Sequence, residues 1–174
     1  MIVVAPLHEL DQALAHWRPS HVVSLASPGA EPARLPRDVE LLRLMFNDIA
    51  EPRPNLAMAT EADVKTLLSF GLAWPEERPL LIHCWAGVSR SPAAAYVIAC
   101  ARNPAGDEMD LANKLRREAP FATPNPHLIA LADGLLGRGG EMTRAIAAIG
   151  RGSETSLGVS FVLTEDPGAN ACRV

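Results

Sequence analysis

The residues best placed to do chemistry lie in one run, His83-Cys84-Trp85-Ala86-Gly87-Val88-Ser89-Arg90-Ser91. A cysteine and an arginine are separated by five residues, with Gly87 between them and a serine on each side of the arginine. The apolar residues 80–82 lead into the run and read as a short buried strand. Residues 92–99 lead out of it and read as a helix, with Ser91 as N-cap and Pro92 at the first helical position. A loop between a strand and a helix N-terminus gathers backbone N–H groups at one spot and makes an anion site. A thiol in that field gives up its proton more readily than a free thiol does. Arg90 can fork two oxygens of a phosphate. A thiolate and a phosphate cradle in one loop predict nucleophilic attack on phosphorus.

The rest of the chain supplies elements to hold that loop. Residues 2–5 and 21–26 read as strands, and so do 39–46, which lead into Asn47 and Asp48. Leu7, Leu10, Leu14 and Trp17 have helical spacing. Prolines at 52 and 54 force a loop there. Thr60 and Asp63 form a helix-start pair, and Val64, Leu67, Leu68 and Leu72 give that helix its apolar face. Helices follow over 107–119, from Asn125 or Pro126 to about 136, and over 142–149. Alternating strands and helices predict an α/β fold with a mostly parallel central sheet flanked by helices. The expected division is one domain over 1–150 and a C-terminal extension over 151–174. Within the extension 159–163 offer a possible added strand, and 166–174 read as a tail.

His-Cys-x-x-Gly-x-Ser-Arg-Ser resembles the signature loop of the cysteine-based protein tyrosine phosphatases, most closely their compact, dual-specificity-like branch. The resemblance is strong over 80–102, moderate over 41–136 and absent after 150. It implies a phosphatase fold with the signature loop between a strand and a helix, and a phosphocysteine intermediate on Cys84. The phosphate would be held by Arg90 and by the loop residues Trp85, Ala86, Gly87, Val88 and Ser89, with neither metal nor cofactor. Ser91 matches a hydroxyl that donates to the thiolate, a role open beside its reading as a helix cap. Ser89 would brace the loop through backbone hydrogen bonds. His83 would orient the loop and tune the thiol. Trp85 either flanks an aromatic ester or packs against the protein, and packing is the preferred reading. The interior positions Trp85, Ala86 and Val88 are apolar, whereas some phosphoinositide-directed relatives carry basic residues inside this loop.

The family's general acid is an aspartate on a separate loop. Asp48 is the leading candidate, on a mobile loop at a strand end, and Glu51 is the second. Asp63 reads as a cap, and Asp38 lies before its strand. Pro124-Asn125 resembles the pair whose asparagine bonds back to the catalytic loop, although Asn125 also suits a helix cap. The one glutamine, Gln12, is far from the position of a water-positioning glutamine.

Bulk properties narrow the partners. The chain has 174 residues, 48% hydrophobic and 21% charged, which is ordinary globular composition. A net charge of −4 advertises neither nucleic acid nor an anionic membrane as a partner. Three scattered cysteines, Cys84, Cys100 and Cys172, form neither a disulfide framework nor a zinc pattern. Cys100 reads as a core residue and Cys172 as a bystander. His8, His16 and His21 share no ligand spacing, and His127 reads as a helix-start residue. With no signal-peptide pattern at the start, a cytoplasmic location is expected. The leading reading is a phosphomonoester hydrolase acting on a phosphorylated protein or a small phosphoester. A phosphate-binding module without catalysis and a rhodanese-type sulfurtransferase are the alternatives. Oligomeric state is not legible.

Overall fold

The computed structural model describes residues 1–164. The reading of 166–174 as a tail, with Cys172, falls outside them. Five strands form one sheet: β1 (Ile2–Pro6), β2 (His21–Ala26), β3 (Glu40–Met45), β4 (Leu80–Cys84) and β5 (Phe161–Thr164), in the order β3-β2-β4-β1-β5. The β2–β3, β2–β4 and β1–β4 pairs are parallel, and β5 runs antiparallel to β1. The sheet is therefore mixed but mostly parallel. Its central strands β1 and β4 are buried along their whole length, as near-continuous apolar runs should be when both faces are covered.

Helices cover both faces. The residues expected as one helix over 7–17 divide into a single 3-10 turn, Leu7–Glu9, and α1 (Leu10–Trp17). Helix α1 sits with Leu81, Val22 and Val3 on one face. The larger core lies on the other face, under α2 (Glu61–Ala73), α3 (Arg90–Arg102), α4 (Glu108–Glu118), α5 (Pro126–Leu136) and α6 (Glu141–Ala148). Local chemistry sets their starts. Thr60 and Asp63 close a reciprocal capping box on α2. Asp107 accepts from the N–H groups of Met109 and Asp110 at the start of α4. Asn125 caps α5, which ends at Gly137 in the left-handed region (φ 64°). Helix α3 is buried from Arg90 through Cys100, which explains its Ala-rich sequence: small side chains let it sit between the sheet and α2, α4 and α5.

One expectation about the helix starts needs correction. Helix α3 begins at Arg90 with Ser89 at its N-cap, so Ser91 lies inside the first turn and does not cap. The extension after residue 150 supplies the added strand read at 159–163: β5, over 161–164, is an edge strand of the same sheet. Residues before β5 are tied to the body as well: Gly152 N–H donates to Thr123 Oγ1, Ser153 N–H to Pro120 O and Gly158 N–H to Ala86 O.

Parallel pairing has one consequence for the site. Strands β1, β2, β3 and β4 all finish at the same edge of the sheet, so Leu7, Ser27, Asp48 and Trp85 leave it together. Crevices at the carboxyl ends of parallel strands are where α/β folds bind ligands.

Candidate active site

The loop from Cys84 to Arg90 is held by its carbonyls. Trp85 O accepts from Leu7 N–H (3.1 Å), Ala86 O from Gly158 N–H (2.8 Å), Val88 O from Thr123 N–H (2.8 Å) and Ser89 O from Asn125 N–H (3.3 Å). Four donors on three separate segments, at Leu7, at 123–125 and at Gly158, thus turn the loop carbonyls outward. Among the described residues, the N–H groups of Trp85, Ala86, Val88 and Ser89 have no acceptor, and that of Gly87 donates to Cys84 Sγ at 3.3 Å. A ring of unused donors around a thiol is a nest for an anion. Gly87 makes the turn possible. Its φ is +71°, and a Cβ there would meet the Pro6 nitrogen at 2.9 Å.

Cys84 is buried at the end of β4, with Ser91 Oγ at 3.1 Å from Sγ. Having lost the capping role, Ser91 spends its hydroxyl on the thiol. Arg90 is 5% exposed, and its Nη1 donates to Phe46 O (2.8 Å) and to Ser27 Oγ (3.4 Å). Among the described residues, its Nε has no hydrogen-bond partner. The guanidinium is therefore fixed from one side and carries a buried, unused donor on the other. A buried donor left unpaired costs about 1–3 kcal/mol, a cost that an oxyanion would remove.

Asp48 lies beside this group. Its Oδ1 accepts from Ser89 Oγ (2.7 Å) and Asn125 Nδ2 (2.8 Å), and its Oδ2 is 4.0 Å from Arg90 Nε. The loop that carries it is tied down: Asn47 N–H donates to Ala57 O, Ala57 N–H to Asn47 Oδ1, and Asn125 Nδ2 also reaches Ile49 O. The expected mobile loop is thus an anchored one. Of the two readings of Asn125, its side chain takes the cap: Oδ1 accepts from Leu128 N–H at the start of α5, while its amide goes to Asp48 and Ile49 O, and only its main-chain N–H reaches the cysteine loop, at Ser89 O. Ser89 takes the Asn125 N–H on its carbonyl, a backbone bond of the kind expected of it, and its hydroxyl adds a bond to Asp48.

Trp85 overturns the preference for packing: it is 64% exposed and stands at the rim of the site. Glu51 is exposed, and Asp63 is committed to the Thr60 cap. Asp38 pairs with Arg78, before β3. His83 is buried, and burial first, with the Arg43 charge second, lowers its imidazole to about 4, so it is neutral near pH 7. Burial pushes the Cys100 thiol up to about 12, which keeps it protonated as a core residue. Among the described residues, no three His, Cys, Asp or Glu side chains are grouped to hold a metal ion, and no helix is long and apolar enough to cross a membrane. Sequence reasoning missed Ser27, Phe46 O, Thr123 and Gly158. Only Ser27 had a signal, as the first polar residue after an apolar strand.

No protein-family model matches the chain, and no curated protein matches it by sequence. Solved structures do match. DUSP15 superposes with a TM-score of 0.60 at 19% identity, over 84% of this chain and 90% of that one. Human DUSP28 gives 0.56 at 19% identity, over 73% and 83%. PTPMT1 in complex with PI(5)P gives 0.56 at 14% identity, over 81% and 86%. With its mostly parallel sheet, its flanking helices and its cysteine loop between strand and helix, this chain has the fold of the dual-specificity phosphatases.

Proposed function

We propose that the protein is a cysteine-dependent phosphomonoester hydrolase of the tyrosine or dual-specificity type. The observation that carries this reading is the outward anchoring of the loop carbonyls, which leaves unused N–H donors around Cys84 Sγ beside the unpaired Nε of Arg90. Donors fixed in advance where charge develops stabilise a transition state without reorganisation. In the first step the Cys84 thiolate attacks phosphorus, an S–P bond forms and the P–O ester bond breaks. Asp48 gives its proton to the leaving oxygen from Oδ2, because Oδ1 is already occupied by Ser89 and Asn125. In the second step water attacks the phosphocysteine, Asp48 takes a proton from it, and Cys84 leaves as a thiolate with the Ser91 hydroxyl donating to it.

The substrate is a phosphorylated protein or a small phosphoester. PTPMT1 binds a phosphoinositide, but Trp85, Ala86 and Val88 give this loop no basic side chain for a second phosphate. A binding module without catalysis would have no use for a hydroxyl 3.1 Å from the thiol sulfur or for an anchored carboxylate beside the arginine. The test is hydrolysis of a chromogenic aryl phosphate, run beside thiosulfate as a sulfur donor. Wild type should hydrolyse the ester and ignore thiosulfate, and Cys84→Ser should lose turnover while still binding phosphate. Turnover that survives in Cys84→Ser, or sulfur transfer in wild type, would reject the mechanism.

A further inference from the structure

Three of the four donors that hold the cysteine-loop carbonyls stand on two stretches of chain. Thr123 and Asn125 lie between α4 and α5, and Gly158 lies after α6. One side chain ties those stretches together. Arg116, in the last turn of α4, donates from Nη1 to Pro120 O (2.8 Å) and Ala122 O (2.9 Å), and from Nη2 to Gly150 O (2.7 Å). Longer contacts reach Ala119 O (3.5 Å) and Ile149 O (3.4 Å). All five acceptors are main-chain carbonyls. Helix ends leave such carbonyls without partners and favour a cation beside them, and Arg116 serves the ends of α4 and α6 at once. The two stretches also lock to each other. Gly152 N–H donates to Thr123 Oγ1 and Ser153 N–H to Pro120 O. They touch so closely that a Cβ on Gly152 would lie 2.4 Å from the Phe121 carbonyl carbon.

We propose that Arg116 is a positioning residue for the phosphate cradle: it clamps the turn after α4 to the turn after α6, and so fixes Thr123 and Gly158 where they aim the cysteine loop. The proposal rests on the phosphatase reading, since the cradle it serves is the site of that reaction. A peptide unit is planar, so holding a carbonyl sets the direction of the N–H that follows it. Gly158 on Ala86 O therefore sets Gly87 N–H, which points at Cys84 Sγ (3.3 Å), and Thr123 on Val88 O sets Ser89 N–H. The clamp requires arginine. Its planar fork serves both turns with two nitrogens, whereas a lysine brings one nitrogen and serves one turn. Without the fork Thr123 and Gly158 shift relative to each other, and the ties on both sides of Gly87 slacken. A misplacement of about 1 Å at a catalytic group can cost about 10²-fold in rate.

The test compares Arg116→Lys with Arg138→Ala. Arg138 is also a clamp, on Pro104 O, Cys100 O and Glu108, but none of its partners holds the cysteine loop. Each variant is measured for its urea midpoint, for kcat on a chromogenic aryl phosphate, for affinity toward inorganic phosphate, and for the amide signals of Gly87 and Ser89 as phosphate is added. Arg116→Lys should lower kcat and phosphate affinity about tenfold each and shrink the phosphate-induced shifts of those two amides. Arg116→Ala should deepen the loss, and where it fails to fold the lysine variant decides. Arg138→Ala should lower the urea midpoint at least as far and leave kinetics and amide shifts at wild-type values. Wild-type kinetics and amide shifts in Arg116→Lys would overturn the proposal. Equal losses in Arg138→Ala would do the same, by tracing the effect to general stability. Both outcomes leave the phosphatase reading intact, because wild type still turns over. A wild type that neither binds phosphate nor hydrolyses the ester would sink that reading and the proposal with it.

Discussion

Asp48→Asn separates chemistry from architecture at one atom. Asp48 Oδ1 accepts from Ser89 and Asn125, and an asparagine Oδ1 can accept both bonds unchanged. The loop ties through Asn47, Ala57 and Ile49 do not involve the substituted atom. What changes is Oδ2, 4.0 Å from Arg90 Nε, which becomes an NH₂ group with no proton to give as an acid. The variant should therefore fold as wild type does. It should lose the worth of general acid catalysis, about 10²–10⁴ in rate, or about 3–5 kcal/mol of barrier. The assay is a series of aryl phosphates with leaving groups of graded acidity. The loss should be full for poor leaving groups and should shrink toward nothing for the most acidic phenols, which depart without a proton. The alkaline limb that a general acid imposes on the pH–rate profile should vanish in the variant. An equal loss on every ester with that limb retained would refute the assignment, and Glu51 would be the next residue to change.

Other outcomes follow from the same geometry. The His83 imidazole sits at about 4 in the folded chain against 6.5 when free. As pH falls through 6.5 the unfolded chain takes up this proton and the folded chain does not, so stability present above 6.5 is lost down to about 4, by up to about 3 kcal/mol. Urea midpoints of wild type and His83→Gln should diverge across that window, and parallel curves would contradict the burial argument. Gly158→Ala puts a Cβ at 2.4 Å from the Phe121 ring and displaces the N–H that holds Ala86 O. It should lower kcat and phosphate affinity together, and unchanged kinetics would show that this anchor is dispensable. Mild peroxide should abolish activity reversibly through Cys84 while Cys100, a thiol kept protonated by burial, stays unmodified by mass spectrometry in the folded protein. Oxidation of Cys100 ahead of inactivation would reverse that order.

The strand–loop–helix around Cys84 was legible because its signals are local: an apolar run, a glycine, and a proline near a helix start. Asp48 was legible for a similar reason, as the first carboxylate beyond an apolar strand. The alternation of strands and helices was enough for the sheet and its mostly parallel sense. What the sequence hid depends on contacts between distant segments. Pro92 suits a first helical position and so points to Ser91 as N-cap, whereas α3 starts earlier with Ser89 as N-cap and the Ser91 hydroxyl lies 3.1 Å from the thiol. Trp85 looked like a core residue by type, and its exposure follows from Leu7 N–H pinning its carbonyl and turning its side chain to the rim. The mobile loop expected around Asp48 is instead tied by the Asn47–Ala57 clasp and the Asn125 amide. Periodicity carries no information about pairing across the sheet, so the seat of β5 beside β1 was out of reach.

The four anchors of the loop carbonyls tie activity to the order in which the polypeptide is made. Leu7 leaves the ribosome early, Thr123 and Asn125 much later, and Gly158 last. A growing chain can close the β2–β4 and β1–β4 ladders long before it can fix Ala86 O. Until residue 158 emerges, the loop carries three of its four anchors and Ala86 O is left to solvent. The complete cradle is thus assembled in stages set by chain position, with its last fixed carbonyl waiting on a segment that follows all six helices.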